Sequence, residues 1–311
     1  MPDQKGAWAS GAVLTPAEVA ERLKVSKFTV YELIKRGQLP AFHVGRQVRV
    51  TEEALVAYAA RAIRPAARPT PDEPPFVFIG SHDLAVAHLL DICAERNGTA
   101  LPVRHYAGSL AGLMALERRE AHVAGSHLYD EDTAEYNRPY VSRVMPGEDV
   151  VLVGLAYRTQ GLIVAAGNPL GLHGWEDLAR PGLRMVNRQR GAGTRVLLDQ
   201  SLRALGLDAK RIAGYENEVA THGEAAEAVA NGLAETAVGI EAAARAQGLG
   251  FVPLTHERYD LVMLGEEYVG RRLAPLLATL NSPSFQRYLA GLPGYDASCA
   301  GQVVRLPLNG R

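Results

Sequence analysis

The stretch LTPAEVAERLKVSKFTVYELIKRGQLPAFHVGRQVRVTEEAL, residues 14–55, decides the fold of the N-terminal part of this chain. Thr15 is a favourable helix N-cap, Pro16 suits the first helical position, and Glu18 can close a capping box. After a short turn, Ser26 can cap a second helix. Two short helices joined by a tight turn predict a helix-turn-helix.

The residues after the second helix predict a small β-hairpin, or wing. Residues 39–50 alternate in polarity around a turn near Gly45, and Thr51 opens a third helix that runs to about Arg61. The second helix and the wing carry cations and hydroxyls, which contact DNA phosphates first and bases second. The candidate DNA-binding residues are Ser26, Lys27, Thr29, Tyr31, Lys35, Arg46 and Arg49.

Charge divides the chain at a proline-rich segment. The whole chain of 311 residues has a formal net charge of −1, but residues 1–70 hold 11 Lys and Arg against 6 Asp and Glu, and the remainder holds 22 against 28. This contrast indicates a nucleic-acid-binding part joined to a different domain. Five prolines in residues 65–75 favour extended chain between the two parts. We predict a tail over residues 1–12, a DNA-binding domain over 13–64, a linker over 65–75 and a second domain over 76–311.

Composition also excludes several classes of protein. No apolar run approaches the roughly 18 residues of a membrane span, and the N-terminus has no secretory apolar stretch. Cys93 and Cys299 stand far apart without a Cys/His cluster, which argues against a disulfide framework and structural zinc. We therefore expect a cytoplasmic protein with two buried thiols and no membrane partner.

From residue 76 onward, short apolar runs alternate with helical stretches, which predicts an α/β fold with parallel sheets. The extended stretch 157–161 is a candidate crossing between two lobes. Ligands of such folds bind beyond the carboxyl ends of strands, where helix N-termini converge. The predicted strands cover residues 76–79, 102–106, 121–125, 150–155, 162–166, 184–186 and 236–240.

Three predicted strand-to-helix turns combine glycine with a hydroxyl residue. They are Gly80-Ser81, Gly108-Ser109 and the run 191–194. Three such helix starts aimed at one point would form an anion cage from N–H groups, O–H groups and helix dipoles. Arg195 opposes the dipole of its helix, so its presence indicates a bound oxyanion. The alternative, a side chain that points to solvent, is stronger for Arg188 than for Arg195.

Histidines recur near the same turns. Ser81, His82 and Asp83 are adjacent in sequence and so cannot align as nucleophile, base and orienting acid. We interpret His82 and His127 as hydrogen-bond donors or caps, Asp83 as a helix cap, and His222 as a further anion donor. No metal site is expected because the histidines lack paired carboxylates. The candidate ligand-binding residues are Ser81, His82, Ser109, Gly193, Thr194, Arg195 and His222, with no catalytic residue, metal ligand or cofactor.

Two family resemblances follow from these motifs. Residues 13–61 resemble the excisionase-type winged helix, a relative of the MerR DNA-binding domain. The segments FIGSHDLAVAHLL, MVNRQRGAGTRVLLDQSL and THGEAAEAVANGLAETAVGI, which begin at residues 78, 185 and 221, resemble two-lobed type II periplasmic-binding-protein-like domains similar to molybdate- and tungstate-binding proteins. This second resemblance covers about residues 76–300.

The resemblances imply a one-component transcriptional regulator and not an enzyme. They imply that the winged helix binds double-stranded DNA as a homodimer, while two lobes close on a tetrahedral oxyanion, most simply molybdate or tungstate. Sulfate, phosphate, an organic acid or an amino acid stays open as the ligand, and an enzyme of molybdenum-cofactor metabolism stays open as a further alternative. Asp83 favours hydrogen phosphate in one respect, because it can accept a proton that molybdate does not carry.

Overall fold

The structure is a computed structural model that describes residues 13–23, 25, 27–35, 39–45, 47–62, 75–97 and 102–306. The chain divides into two compact units, residues 1–67 and 68–311. The predicted tail over residues 1–12 and all of the predicted linker except Pro75 lie outside the described residues.

The N-terminal unit forms around a short amphipathic helix with the predicted start. The N–H of Thr15 donates to Glu18 Oε2 at 2.7 Å, and the N–H of Glu18 donates to Thr15 Oγ1 at 3.3 Å, so the predicted capping box is present. Val19, Val30 and Val50 are fully buried in its core. The elements are β1 (Val13–Leu14), α1 (Pro16–Leu23), α2 (Lys27–Lys35), β2 (Phe42–Val44), β3 (Gln47–Thr51) and α3 (Glu52–Ala62).

The predicted wing is present as an antiparallel hairpin. Strand β2 pairs with β3, Val44 lies opposite Gln47, and the turn between them contains Gly45 with a φ of 61°. A left-handed residue in a tight hairpin turn favours glycine. Strand β1, which the sequence did not predict, pairs with the other edge of β3 and completes a three-stranded sheet.

The C-terminal unit is an α/β structure around one long sheet with the strand order β11-β10-β12-β9-β13-β6-β4-β5, which β14 and β15 join by pairing with β9. Its strands are β4 (Val77–Gly80), β5 (Val103–His105), β6 (Val123–Ser126), β9 (Val150–Val164), β10 (Met185–Arg188), β11 (Glu218–Val219), β12 (Thr236–Ile240), β13 (Gly250–Leu264), β14 (Tyr295–Asp296) and β15 (Val303–Leu306), with a separate hairpin of β7 (Tyr129–Asp130) and β8 (Glu135–Tyr136). Its α-helices are α4 (Leu84–Asn97), α5 (Ser109–Glu117), α6 (Arg138–Val144), α7 (Gly193–Ala204), α8 (His222–Ala230), α9 (Glu241–Ala246), α10 (Gly265–Val269), α11 (Ala274–Leu280) and α12 (Pro283–Gly291).

Strands β9 and β13 join two halves of this sheet. They pair antiparallel along almost their whole length, with register shifts near Pro253 and near Tyr259. One half of the sheet adds β12, β10 and β11, and the other half adds β6, β4 and β5. We name these halves the second lobe and the first lobe, respectively. The middle of β9 and β13 therefore belongs to the crossing between the lobes.

The strands bury both faces in each lobe, as expected for a sheet covered by helices on two sides. In the first lobe, Val151 and Val153 face one apolar cluster, and Val150 and Leu152 face another. The second lobe repeats this arrangement around the other end of β9, where Ile163 and its neighbours Leu162 and Val164 lie in different clusters. The alternation along one strand explains why β9 reads as a nearly continuous apolar run.

Two expectations about the sheet were wrong in detail. The sheet is mixed and not purely parallel, because β9 and β13 run antiparallel to each other and to β12 and β6, respectively. The two predicted strands at 150–155 and 162–166 are one strand, Val150–Val164, because the extended stretch between them continues the same pairing. The sequence also missed β13, whose polar centre, THERYD, interrupts its apolar pattern.

Candidate functional site

The turns that precede α5 and α7 meet between the two lobes. The N–H of Leu110 donates to the carbonyl of Gly191 at 3.2 Å. Gly108 has a φ of 95°, and a Cβ there would lie 2.8 Å from the same carbonyl oxygen, so glycine is needed both for conformation and for space. The two glycine-containing turns predicted from the sequence are thus brought together by the fold.

A buried relay of three side chains lies beside these turns. His127 Nδ1 is 2.6 Å from Glu257 Oε2, and His127 Nε2 is 2.8 Å from Ser81 Oγ. All three residues are at most 1% exposed. Burial lowers the pKa of His127 despite the attraction of Glu257, so the ring is neutral near pH 7. Nδ1 then carries the proton donated to Glu257, and Nε2 accepts the hydroxyl hydrogen of Ser81.

This relay has the hydrogen-bond order of a serine-hydrolase triad. It differs from the adjacent Ser81-His82-Asp83 set that the sequence excluded, since Ser81 and His127 are 46 positions apart and His127 and Glu257 are 130 apart. With its hydrogen donated to His127, the Ser81 hydroxyl offers only lone pairs to any further partner.

Arg158 holds the acid end of the relay in place. It lies at the centre of β9, is fully buried, donates to Asp83 Oδ2 at 2.6 Å and forms a second ion pair with Glu257. Burial opposes the ionised form of Glu257, but Arg158 and His127 outweigh it and hold its pKa at about 2. Asp83 also accepts from the N–H of Val86 at 2.9 Å, which confirms its predicted role as a helix cap.

Gln160 connects the relay to the second lobe. Its Nε2 donates to Glu257 Oε2 at 2.6 Å and to Thr194 Oγ1 at 2.9 Å, while its Oε1 is buried without a hydrogen-bond partner. Gly193 packs directly on His127, because a Cβ at Gly193 would lie 2.6 Å from His127 Nδ1. The start of α7 therefore closes over the relay.

Arg188 is buried next to this network without a carboxylate partner. It is 0% exposed, and its Nη2 donates to the carbonyl of Ala220 at 2.7 Å, but its Nε and Nη1 have no hydrogen-bond partner. Burial and repulsion from Arg158 lower the pKa of Arg188 to about 10, which leaves it charged near pH 7. On sequence grounds a side chain that points to solvent is favoured more strongly for Arg188 than for Arg195, and the complete burial of Arg188 shows that this expectation is wrong.

Two unpaired imidazoles lie near Arg188. Both ring nitrogens of His222 and Nδ1 of His82 are buried without a partner, and the two ring centres are 6.3 Å apart. Burial and then repulsion from Arg188 lower the pKa of His82 to about 4 and that of His222 well below its usual value. Both rings are therefore neutral near pH 7, and each can donate one hydrogen bond.

The predicted ligand-binding residues separate into three groups. Ser81, Ser109, Gly193 and Thr194 surround the relay, where Ser109 Oγ accepts from the N–H of His127 at 3.2 Å. His82 and His222 lie in the zone of Arg188. Arg195 instead contacts Tyr215, Asp199 and Glu218 within the second lobe.

Arg195 is engaged within the second lobe. Its guanidinium lies 4.0 Å from the centre of the Tyr215 ring and pairs with Asp199 at 3.0 Å and with Glu218 at 3.1 Å. These partners already compensate its charge, so the opposed helix dipole does not require a bound anion here. Arg188, seven positions earlier in the chain, instead keeps two buried donor atoms, Nε and Nη1, without a hydrogen-bond partner.

Sequence reasoning missed Arg158, Gln160 and Glu257. A signal was present, because Arg158 and Gln160 interrupt a long apolar run two positions apart and hence face the same side of β9. A charged residue in a doubly buried strand demands a partner. The partner Glu257 lies on a strand that the sequence did not predict, so the pairing was not visible.

The candidate DNA-binding residues are described in part. Lys27 and Tyr31 are exposed on α2, and Thr29 on the same helix is partly buried. Arg49 is partly buried in β3 and donates to the carbonyl of Val48 at 2.9 Å. Ser26, Arg46 and the side chain of Lys35 lie outside the described residues.

Among the described residues, no group of three or more His, Cys, Asp or Glu side chains is arranged to hold a metal ion. Cys93 and Cys299 are buried, as predicted, and they do not form a disulfide. No helix in the described parts of the chain is long and apolar enough to cross a membrane.

Comparisons with known families cover both units. The family model of the PBP superfamily domain matches residues 90–281, and that of a helix-turn-helix domain matches residues 13–62. These matches confirm the predicted combination of an excisionase-type helix-turn-helix with a periplasmic-binding-protein-like domain.

Two uncharacterized proteins and one solved structure are among those similar to this chain. Uncharacterized protein YvgK of Bacillus subtilis (strain 168) is 38% identical over 304 residues, which cover 93% of this chain and 97% of that protein. An uncharacterized protein of Clostridium pasteurianum, named for the 5′ region of a 2Fe-2S ferredoxin gene, is 38% identical over 110 residues, 35% of this chain and 97% of its own length. The solved structure of a periplasmic transporter aligns with a TM-score of 0.50 at 14% identity, covering 72% of this chain and 88% of the other. At that identity the likeness shows the fold alone.

Proposed function

Because this chain belongs to the PBP superfamily and begins with a helix-turn-helix domain, we propose that it is a DNA-binding transcriptional regulator that senses a small oxyanion. The helix-turn-helix supplies the DNA contact, and the two-lobed unit supplies the ligand site. The regulator acts in the cytoplasm, where an operator and a small anion are both available to it.

One observation carries the ligand class. The buried guanidinium of Arg188 keeps two donor atoms without partners, beside His82 and His222, whose unpaired nitrogens are also buried. Buried donors without partners are costly, and a buried cation without a carboxylate is more so. An anion with several acceptor oxygens removes both costs at once. The start of α8 at His222 adds the positive end of a helix dipole to the same zone.

Molybdate or tungstate is the ligand that the family resemblance favours. Both are compact tetrahedral dianions whose four oxygens only accept hydrogen bonds. These acceptors complement the guanidinium and imidazole N–H donors in the zone of Arg188. The Thr194 hydroxyl accepts from Gln160, which leaves its own hydrogen available as a donor. Discrimination among oxyanions then depends on the size of the cage and the number of donors.

Hydrogen phosphate is the second candidate ligand, and a separate observation favours it. Gln160 Oε1 is a buried acceptor without a partner, and the Ser81 hydroxyl offers only lone pairs. A ligand that carries an O–H group satisfies such acceptors, whereas a fully ionised oxyanion does not. Organic acids that bear a hydroxyl group share this property.

Ligand control of DNA binding requires two winged helices at a fixed spacing. We propose a homodimer, because half-site spacing on DNA is set by the geometry of a dimer. An anion that binds one arrangement of the lobes more tightly shifts the protein toward that arrangement and thereby changes the DNA affinity.

The ligand proposal is tested by calorimetric titration and thermal unfolding of the full chain with sodium molybdate, tungstate, sulfate, phosphate and a set of amino acids. A ligand at 100 times its dissociation constant is expected to add about 2.7 kcal/mol to the free energy of unfolding. Stabilisation by at least one oxyanion is the expected result. Stabilisation by amino acids alone would contradict the proposal.

The DNA proposal is tested by mobility shift on a genomic DNA fragment at rising salt. Neutralised phosphates release counterions, so affinity is expected to fall steeply with salt, and Lys27→Ala is expected to weaken binding several-fold. Lys210→Ala, a change at an exposed lysine of the C-terminal unit, is the matched control. Equal binding by both variants would remove Lys27 from the DNA surface.

A further inference from the structure

We propose that this cleft takes up one proton when it binds a fully ionised oxyanion, and that His127 is the residue that receives it. The proposal rests on the proposed oxyanion function and adds the protonation chemistry of the bound state. In the ligand-free relay the Ser81 hydrogen is donated to His127 Nε2. In the bound state Nε2 carries the new proton from solvent, and the Ser81 hydroxyl turns its hydrogen toward the anion.

If Ser81 contacts the bound anion, the hydrogen-bond count requires this change. A fully ionised oxyanion has no hydrogen to offer, so Ser81 can bind it only by donating. If Ser81 donates to the anion while His127 is neutral with its proton on Nδ1, the lone pair of His127 Nε2 faces a lone pair of Ser81 Oγ. Two hydrogen-bond acceptors then meet with no hydrogen between them. A proton on Nε2 removes that conflict, because the imidazolium donates to Ser81 and to Glu257 at the same time.

The charge balance favours the same step. The site holds two guanidinium groups, Arg158 and Arg188, and two carboxylates, Asp83 and Glu257, with three neutral imidazoles near pH 7. A dianion that enters this site therefore meets no excess of positive charge in it. One added proton supplies part of the missing charge in a medium where charge pairs interact strongly.

Among the three histidines, His127 is best placed to hold the proton. Arg188 opposes the protonation of all three rings, but among the described residues only His127 forms an ion pair with a carboxylate, through Nδ1 and Glu257. Its ring also stacks on Tyr259 at 5.5 Å between ring centres. The charged and titratable groups that face His127 are Glu257 and Tyr259 on β13, Arg158 on β9, Arg188 on β10, Ser81 after β4 and His222 at the start of α8.

The direction of the pH effect follows from linkage. Burial holds the pKa of His127 down in the free protein, and the bound anion raises it, so the complex binds one more proton than the free protein. Between those two pKa values the dissociation constant of molybdate is expected to rise about tenfold for each pH unit. Hydrogen phosphate brings its own O–H to Ser81, so its dissociation constant is expected to change far less over the same range.

The test uses calorimetry of the full chain with sodium molybdate and with sodium sulfate at one pH in two buffers of different ionisation enthalpy. The expected result is uptake of one proton per anion by the wild type and of none by His127→Asn or His127→Gln. His256→Asn, a change of an exposed histidine on β13, is the control and is expected to keep the uptake. ¹⁵N spectra of the His127 ring in the wild-type protein report the same change without a substitution, from a neutral Nδ1–H ring to an imidazolium.

The outcomes separate this inference from the proposed function. Binding of molybdate or sulfate without proton uptake, or with an unchanged neutral His127 ring, overturns the inference and leaves the oxyanion function intact. Uptake that persists in both His127 variants also overturns it. Absence of binding by every oxyanion overturns both proposals together.

Discussion

Arg158 and Arg188 are both fully buried in the same unit, yet their surroundings are opposite. Arg158, in the middle of the crossing strand β9, pairs with two carboxylates, those of Asp83 and Glu257. Arg188, at the end of β10, has no carboxylate within ion-pair distance among the described residues and keeps two unpartnered donor atoms. The pKa of Arg158 is raised because its carboxylates outweigh the cost of burial, whereas that of Arg188 is lowered to about 10.

Arg158 therefore carries a structural charge, whereas the charge of Arg188 is available to bind a ligand. The charge of Arg158 is compensated within the protein by Asp83 and Glu257, although its Nε has no hydrogen-bond partner, and these ion pairs hold the acid end of the relay in place. A buried charge without a partner lowers the stability of the free protein, so its presence indicates a partner that arrives from solution. Substitutions at the two arginines should therefore have different effects.

The largest effect is expected from Arg158→Met. This change leaves Asp83 and Glu257 buried without their cation, and breaking a buried pair in this way costs about 3–5 kcal/mol of the free energy of unfolding. Urea denaturation of the full chain measures it. A loss below about 1 kcal/mol would mean that the carboxylates find other partners and that Arg158 is no structural centre.

Acid is expected to destabilise the protein through His82, in the zone of Arg188. The pKa of His82 is about 4 in the folded protein, below its usual value, so the unfolded chain binds more protons between pH 6.5 and 4. The contribution of His82 to the free energy of unfolding is fully present above pH 6.5. It falls as the pH drops toward 4, by at most about 3 kcal/mol.

The His82 prediction is measured by denaturant unfolding at pH 7, 6, 5 and 4. His82→Asn is expected to reduce the loss of stability over this range, and the exposed His173→Asn is expected to leave it unchanged. Identical pH curves for the wild type and His82→Asn would show that His82 is not held neutral in the fold.

Arg188→Met is expected to separate binding from stability. Oxyanion affinity falls by about a hundredfold or more, equivalent to about 3 kcal/mol, because the central donor of the site is lost. The ligand-free protein stays at least as stable as the wild type, since an unpaired buried charge is removed. Arg190→Met, two residues along and exposed, is the control for calorimetry and unfolding. A marked loss of stability in Arg188→Met would assign Arg188 a structural role instead.

The smallest effect is expected from Arg195→Gln. Its guanidinium contacts Tyr215, Asp199 and Glu218. The change therefore removes local contacts worth about 1 kcal/mol of the free energy of unfolding. Oxyanion affinity is expected to change less than threefold, because Arg195 is assigned no contact with the ligand in the cleft. A tenfold loss of affinity in calorimetry would restore Arg195 to the ligand site, as the sequence first suggested.

Much of the fold was accessible from local sequence signals. The capping box at Thr15, the hairpin around Gly45 and the exposed face of α2 follow from rules that act within a few residues. The strand-to-helix turns at Ser81 and Ser109 were placed correctly for the same reason, because glycine and cap residues affect the backbone only within a few residues.

The site itself was only partly accessible. Local reasoning found Thr194 and His222 at the start of a helix and Ser81 three residues before one, but it assigned the anion to Arg195 and the weaker role to Arg188. The charge of Arg195 is compensated by partners such as Glu218 and Tyr215, which lie about twenty residues away in sequence. No local rule reports such partners.

The sequence by itself determined the order of the two units, the helix-turn-helix with its wing, and an α/β unit with hydroxyl and glycine residues at helix starts. These features depend on interactions between neighbours in the chain. Only the tertiary structure decided that Glu257, His127 and Ser81 form one relay and that Arg158 is paired while Arg188 is not. The physical reason is that burial and charge compensation depend on which distant strands lie side by side, and β9 and β13 bring those residues together across about a hundred positions of sequence.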